Sequence, residues 1–291
     1  MLAGISCRQR VYSVFPDCIP LNKRNRWDVK NDMAYKYILY DIEDGVAKLT
    51  LNIPEKMNRL SNETMKEVVA ALKEAKDDDS VRVVVMAAAG DQAFCAGANL
   101  ADFKGLSPVE SRKVFSAFAD LSRIFIDLGK PSIAAVNGLA LAGGFGLALY
   151  PDITIASENA KFGLPEINVG VWSCMVSASL PKLVGRKKAL ELLMTGDMID
   201  AKEAERIGLI NKVVPHDKLE ETVMNLAKKI SKKSPVVMSL GRDSYYTMLD
   251  MEYDKAITYL LEILAIIVST EDCQEGVTAF TEKRKPVWKG K

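Results

Sequence analysis

The sequence predicts an α/β fold that ends in a helical region, and three observations carry that reading. Short runs rich in β-branched residues, "VRVVVMAAAG" (81–90), "SIAAVNG" (132–138) and "DITIASE" (152–158), read as strands buried on both faces. Segments of helical period lie between such runs. After Pro181 the chain turns mostly helical. Strands alternating with helices, followed by helices alone, argue for α/β with a helical C-terminal part.

Taken in order, residues 1–32 carry two prolines and several basic residues but no sustained period, and read as a leader. Arg8, Arg10, Arg24 and Arg26 invite comparison with a transit peptide, while Asp17 and the prolines argue against an amphipathic helix. The expectation is a disordered leader or an extension from an upstream start, with Met33 the alternative first residue. From Tyr37, "YILYDIE" and "VAKLTLN" alternate around Asp44–Gly45, a hairpin signal. "SNETMKEVVAALKEAKDDD" (61–79) has helical period. The next helix opens with a capping box, Ser107 at the cap, Pro108 first in the helix and Glu110 third, and Gly129 and Pro131 close it. Helical period returns in 185–209, 217–233 and 254–268.

Composition excludes several classes of function. The chain has 291 residues, 48% hydrophobic and 26% charged, which suits a globular protein with a sizeable core. A net charge of +1 gives no general attraction to nucleic acid or an anionic membrane. The five cysteines form no CxxC pair, so neither a disulfide framework nor a zinc knuckle is expected. No apolar run is long enough to span a bilayer. His216 is the only histidine, which rules out multi-histidine metal sites and leaves Ser-His-Asp chemistry to that residue alone. Following Pro215 at a helix start, it reads as a structural loop residue.

Two segments place small residues between a buried strand and a helix: "AFCAGANLADF" (93–103) and "LALAGGFGLAL" (139–149). Gly143 and Gly144 let a ligand approach the main chain, and a helix starting there would aim free N–H groups outward. Two such loops on neighbouring strands could direct two N–H groups at one oxygen, an oxyanion hole. The segment lacks the Gly-Lys-Ser/Thr ending of a phosphate loop. Downstream, Glu166 in "FGLPEINVG" sits among Phe162, Leu164, Ile167 and Trp172. Burial there would raise its pKa and suit it to general acid/base work near neutral pH.

With "KPSIAAVNGLALAGGFGLAL", "FCAGANLADF", "FGLPEINVG", "LVGRKKALELLMTGDMIDAKEAERIGLINKVVP" and "EGVTAFTEKRKPVWKGK", the chain from about Met33 to its end resembles the crotonase superfamily, the enoyl-CoA hydratase/isomerase family. The resemblance implies a spiral core of ββα turns over 33–225 holding an acyl-CoA site, and a C-terminal helical region over 226–291 that builds trimers, often paired into hexamers. It implies a thioester substrate whose carbonyl lies between the N–H groups of Ala98 and Gly143, so that an enolate forms at the α-carbon. Ala96, Ala98, Asn99 and Leu100 would line the coenzyme A portion. Lys56, Phe280 and Lys283 are further candidates for its phosphates and adenine. Coenzyme A is then part of the substrate, and no separate cofactor or metal is expected. A cytoplasmic location is expected, with the mitochondrial matrix the alternative should residues 1–32 act as a transit peptide.

This chain also departs from the family's pattern. Hydratases of the family carry two glutamates; Glu166 matches the second, and the first falls on Gly146. The usual Pro-Gly-Gly-rich segment is "VWSCMVSAS", and the frequent aspartate after "AGA" is Asn99. Ser173 and Cys174 lie near Glu166 in sequence, but neither is a good base unassisted. Adding water divides labour between two acid/base groups, whereas a 1,3-proton shift needs one. The expected activity is therefore double-bond migration in an enoyl-CoA through Glu166. The alternatives are hydration, including that of an unusual or cyclic enoyl-CoA, and a catalytically silent acyl-CoA binder. An RNA-binding role would rest on Arg186, Lys187, Lys188 and the tail at 282–286, which read better as solvated faces.

Overall fold

The computed structural model describes residues 35–291, and the expectations for residues 1–32 lie outside it. Strands β1 (Ile38–Glu43) and β2 (Val46–Leu51) pair antiparallel around Asp44 and Gly45. Both turn residues have positive φ, 51° and 77°, the conformation a tight hairpin needs and the reason for Asp-Gly there.

Each of the next three turns of chain supplies one strand to each of two sheets. β3 (Val83–Ala88), β5 (Ser132–Val136) and β7 (Ile153–Ser157) extend the large sheet in parallel, and β10 (Lys212–Val214) closes it in the order β1-β2-β3-β5-β7-β10. β4 (Ala93–Cys95), β6 (Leu139–Leu141) and β8 (Lys161–Gly163) form the small sheet in parallel, with β9 (Ile199–Asp200) antiparallel at its edge. The expected ββα spiral is this alternation between two sheets.

Alternate residues of β3 face opposite ways, as the period of a strand requires. Met86 joins a core with Phe94, Phe125, Phe145 and Phe162. Val83 and Val85 join Ile133, Ile155, Val223 and Ala227 on the other face. Helix α1 (Asn62–Asp77) begins at a Ser61 cap, and α2 (Pro108–Ile126) begins with the predicted Ser107/Glu110 capping box. The short α3 (Gly143–Leu149) lies in the first core.

The C-terminal half is less continuously helical than its period suggests. Helices α4 (Cys174–Val184) and α5 (Arg186–Thr195) meet at Gly185. Gly196, at φ 69°, then ends α5, and β9 separates it from α6 (Ala201–Arg206). α7 (Leu219–Ser231) spans the expected division at 225/226, and its Val223 and Ala227 complete the second core. α8 (Pro235–Met248), α9 (Tyr253–Val268) and α10 (Glu271–Thr281) follow.

Two polar clusters, one of them ionic, fasten these last helices. Arg242 on α8 bonds Asp152 at 2.9 Å and donates to the carbonyls of Ile126 and Phe125 at the end of α2. Tyr246 donates to the same aspartate at 2.6 Å. Asp272 on α10 accepts from Ser234 and from the N–H groups of Lys289 and Gly290, which pins the C-terminal tail. Along α9, Tyr253, Ile257, Leu261, Leu264 and Val268 form an exposed apolar stripe at helical spacing. No helix of the described residues is long and apolar enough to cross a membrane.

Candidate active site

Three adjacent parallel strands of the small sheet, β4, β6 and β8, run to the same edge, and each delivers one predicted group there. After β4 comes the loop with Ala98, after β6 the start of α3 at Gly143, and after β8 the turn of 3₁₀ helix Pro165–Val169 with Glu166. Parallel strands place the loops at their carboxyl ends side by side, and such edges hold ligand sites in open α/β sheets.

The two glycine loops touch. Gly97, at φ 81°, has the conformation an L side chain rarely adopts, and a Cβ there would stand 2.8 Å from the Leu141 carbonyl oxygen and 3.3 Å from the Gly143 nitrogen. Gly144 abuts the Cys95 carbonyl so closely that no side chain could be accommodated. Ala142 caps α3 at φ 52°, ψ −118°, a strained backbone held by its surroundings and suited to aiming the next N–H. Neither the Ala98 nor the Gly143 N–H donates to a loop carbonyl among the described residues. Both stay available to an oxygen placed between them.

A third segment locks this arrangement. Leu60 N–H donates to the Gly97 carbonyl at 2.8 Å, and Ala96 N–H to Met57 at 3.0 Å. Asn58, 1% exposed, accepts from the Ile53 N–H and donates to the carbonyls of Ala89 and Ala93, each at 2.9 Å. Asn58 thus ties the segment before α1 to the turn between β3 and β4. The sequence reading missed it; its only signal was an asparagine beside the matched Lys56.

Glu166 is half-buried. Its Oε1 accepts a hydrogen bond from the Ser173 hydroxyl, while its Oε2 is buried with no partner. Removal from water raises its pKa above the usual carboxylate range, against a smaller opposing pull from the Ser173 bond. Cys174 is exposed. Trp172 is 39% exposed and donates to Ser177 at 2.9 Å, so it is not a core residue.

Gly146 has no carboxylate, and the space in front of it is filled. A Cβ there would stand 2.8 Å from the hydroxyl oxygen of Tyr150, one helical turn further on. The Tyr150 ring packs against Phe125, centroids 6.4 Å apart.

A small hollow of about 10 Å³ beside Ala98 is lined by Leu60, Phe103, Val114 and Phe118. It shares Asn62, Met65 and Val114 with a groove of about 350 Å³ between α1 and α2. Val114 and Phe118 come from α2.

The other candidates are placed as follows. Ala96 lies in the locked loop. Asn99 bonds Asp102 at 3.0 Å, and Leu100 opens the turn Leu100–Phe103. Lys56 is exposed in a turn just before Asn58. Phe280, 87% exposed, and Lys283 lie at the end of α10, which packs on α8 and α9; the described hydrogen bonds do not join them to the Ala98 loop. Lys188 pairs with Glu191 and Glu203, and Arg284 with Glu275 and Glu282, so acidic neighbours offset both basic clusters.

His216 has company that the sequence did not reveal. Ser157 Oγ lies 3.0 Å from its Nδ1, and Asp91 lies 3.5 Å from its Nε2. Ser157 is fully buried and accepts from the Asn159 N–H, so no substrate carbonyl can reach it. The group is a structural cluster, as expected for His216.

Comparison with known proteins identifies the family. The family model described as Enoyl-CoA hydratase/isomerase matches residues 41–291. The crotonyl-CoA hydratase of Syntrophomonas wolfei is 38% identical over 254 residues, covering 87% of this chain and 98% of that protein. The short-chain-enoyl-CoA hydratase of Clostridium acetobutylicum is 37% identical over 254 residues, covering 87% and 97%. The crystal structure of enoyl-CoA hydratase from Bacillus anthracis superposes with a TM-score of 0.84 at 33% identity, covering 88% of this chain and all of that one. The chain, with its crotonase fold and the three loops at one sheet edge, belongs to the enoyl-CoA hydratase/isomerase family and is an acyl-CoA enzyme.

Proposed function

We propose that this enzyme moves the double bond of an enoyl-CoA, with Glu166 as the single proton carrier. The observation that carries the reading is the free, buried Oε2 of Glu166 in a site whose other acid/base position is Gly146. The thioester carbonyl lies between the Ala98 and Gly143 N–H groups. Glu166 takes a proton from C2 of a 3-enoyl-CoA, and the C–H electron pair moves toward the carbonyl to give a dienolate. The two N–H groups hold the negative oxygen. Protonated Glu166 returns the proton to C4, the carbonyl re-forms, and the double bond now joins C2 and C3. One carboxylate leaves as it began.

Hydration of a 2-enoyl-CoA is the second reading, favoured by the names of the hydratase relatives. It needs a group to activate water besides the one that protonates C2. Coenzyme A contacts from Lys56, Asn99, Phe280 and Lys283 belong to this proposal. So does assembly into trimers or hexamers, supported by the apolar stripe on α9. Matched 3-enoyl and 2-enoyl thioesters of one chain length separate the readings. Conversion of the first to the second, with little 3-hydroxyacyl-CoA formed, supports double-bond migration. Rapid hydration without migration contradicts it.

A further inference from the structure

In an α-helix each Cα–Cβ bond tilts toward the N-terminus, so a side chain lies over the residue four positions earlier. Tyr150 stands at that distance from Gly146, and its N–H bonds the Gly146 carbonyl at 3.0 Å. Its ring runs back along the helix until the hydroxyl oxygen comes 2.8 Å from a Cβ built on Gly146, with the ring carbons behind it at 3.0 and 3.3 Å. Any side chain at 146 would strike the phenol. The pair is therefore complementary: glycine makes the room and tyrosine takes it.

The hydroxyl has no role in holding the fold. It makes no hydrogen bond among the described residues, whereas Tyr246 donates to Asp152 and Tyr35 to Glu74. The ring's packing partner is Phe125, whose own carbonyl is held by Arg242, so the phenol is seated on a fixed support. Burial pushes the phenol up to about 12, which keeps it a neutral donor at ordinary pH.

We propose that Tyr150 sets the reaction specificity of this site, its hydroxyl taking the second polar position that Gly146 leaves open. This rests on the double-bond reading above. A carboxylate in that position can take a proton from water. A neutral phenol donates a hydrogen bond to whatever occupies the pocket and does not make hydroxide there. The site keeps one proton carrier, Glu166, and a fixed donor beside the acyl chain, an arrangement that favours migration over addition of water.

The test uses the whole protein and two variants. Tyr150→Phe keeps the ring on Phe125 and removes only the oxygen. Its kcat for migration is expected to fall about tenfold with KM within about twofold, as for loss of one hydrogen bond at the reacting chain. Gly146→Glu with Tyr150→Leu clears the phenol and installs the second carboxylate. The ratio of hydration to migration is expected to rise about a hundredfold, the usual contribution of one acid/base group. Wild-type kcat in Tyr150→Phe, or a wild-type ratio in a double variant that still turns over, overturns the proposal. Should the double variant fail to fold, Tyr150→Phe decides alone. Absence of migration in the wild type would instead remove the functional reading and this proposal with it, whereas migration in the wild type with an unchanged kcat in Tyr150→Phe overturns the proposal alone.

Discussion

Ser173 donates its hydroxyl hydrogen to Oε1 of Glu166 and leaves Oε2 buried without a partner. That asymmetry gives the carboxyl a fixed orientation and one oxygen free to exchange a proton. It also sets how the site responds to pH. Migration starts from the carboxylate, so kcat/KM should fall as pH drops through the raised pKa of Glu166, above the usual carboxylate range. The Ser173 bond favours the ionised form, so Ser173→Ala should move this acid limb to higher pH. A pH–rate profile of both proteins checks it.

The same shift has a consequence for stability. A carboxyl whose pKa is higher folded than unfolded binds more protons in the folded state between the two values, so stability falls as pH rises through that window. Glu166→Gln removes the penalty. Its thermal midpoint should exceed the wild type's near pH 7 and match it near pH 4, while migration is lost.

Gly144 presses on the Cys95 carbonyl, and this contact fixes the distance between β4 and the start of α3. Gly144→Ala forces the two loops apart. Turnover should fall by about a hundredfold or more, as for loss of one oxyanion donor. Circular dichroism of the variant would show the helices intact.

Arg242 is 9% exposed, and its guanidinium joins Asp152 to the last carbonyls of α2. Removing it strands a partly buried carboxylate. Arg242→Ala should cost about 3–5 kcal/mol in a denaturant titration.

Leu261 and Ile257 lie midway along the exposed stripe of α9, 62% and 50% exposed. If this face is covered by a second copy of the chain, Leu261→Glu should shift the protein to smaller assemblies in sedimentation velocity. An unchanged sedimentation coefficient would remove α9 from the interface.

Much of this was legible in the residues, and the reasons differ by element. The Asp44–Gly45 hairpin and the Ser107 capping box are local devices, so a few side chains sufficed. Strands β3, β5 and β7 of the large sheet announced themselves as β-branched runs, whereas the three-residue β10 at its edge went unread. The small sheet did not, because three-residue strands such as Ala93–Cys95 and Lys161–Gly163 are too short to show a period. β9 went unseen for the same reason. Glu166, Ala98 and Gly143, the candidate proton carrier and N–H donors, came from motif order. Tyr150 was not, since its role depends on the helix bringing residue 150 over a glycine at 146. Asn58 and the Ser157–His216 contact depend on long-range folding in the same way.

The most direct measurement is proton bookkeeping at the acyl chain. A 3-enoyl-CoA incubated with enzyme in D₂O and followed by NMR should become the 2-enoyl thioester with deuterium at C4. Exchange at C2 should accompany it, and both should vanish in Glu166→Gln. Migration that persists in Glu166→Gln, or a wild type that adds water and moves no double bond, would contradict a single-carboxylate shuttle.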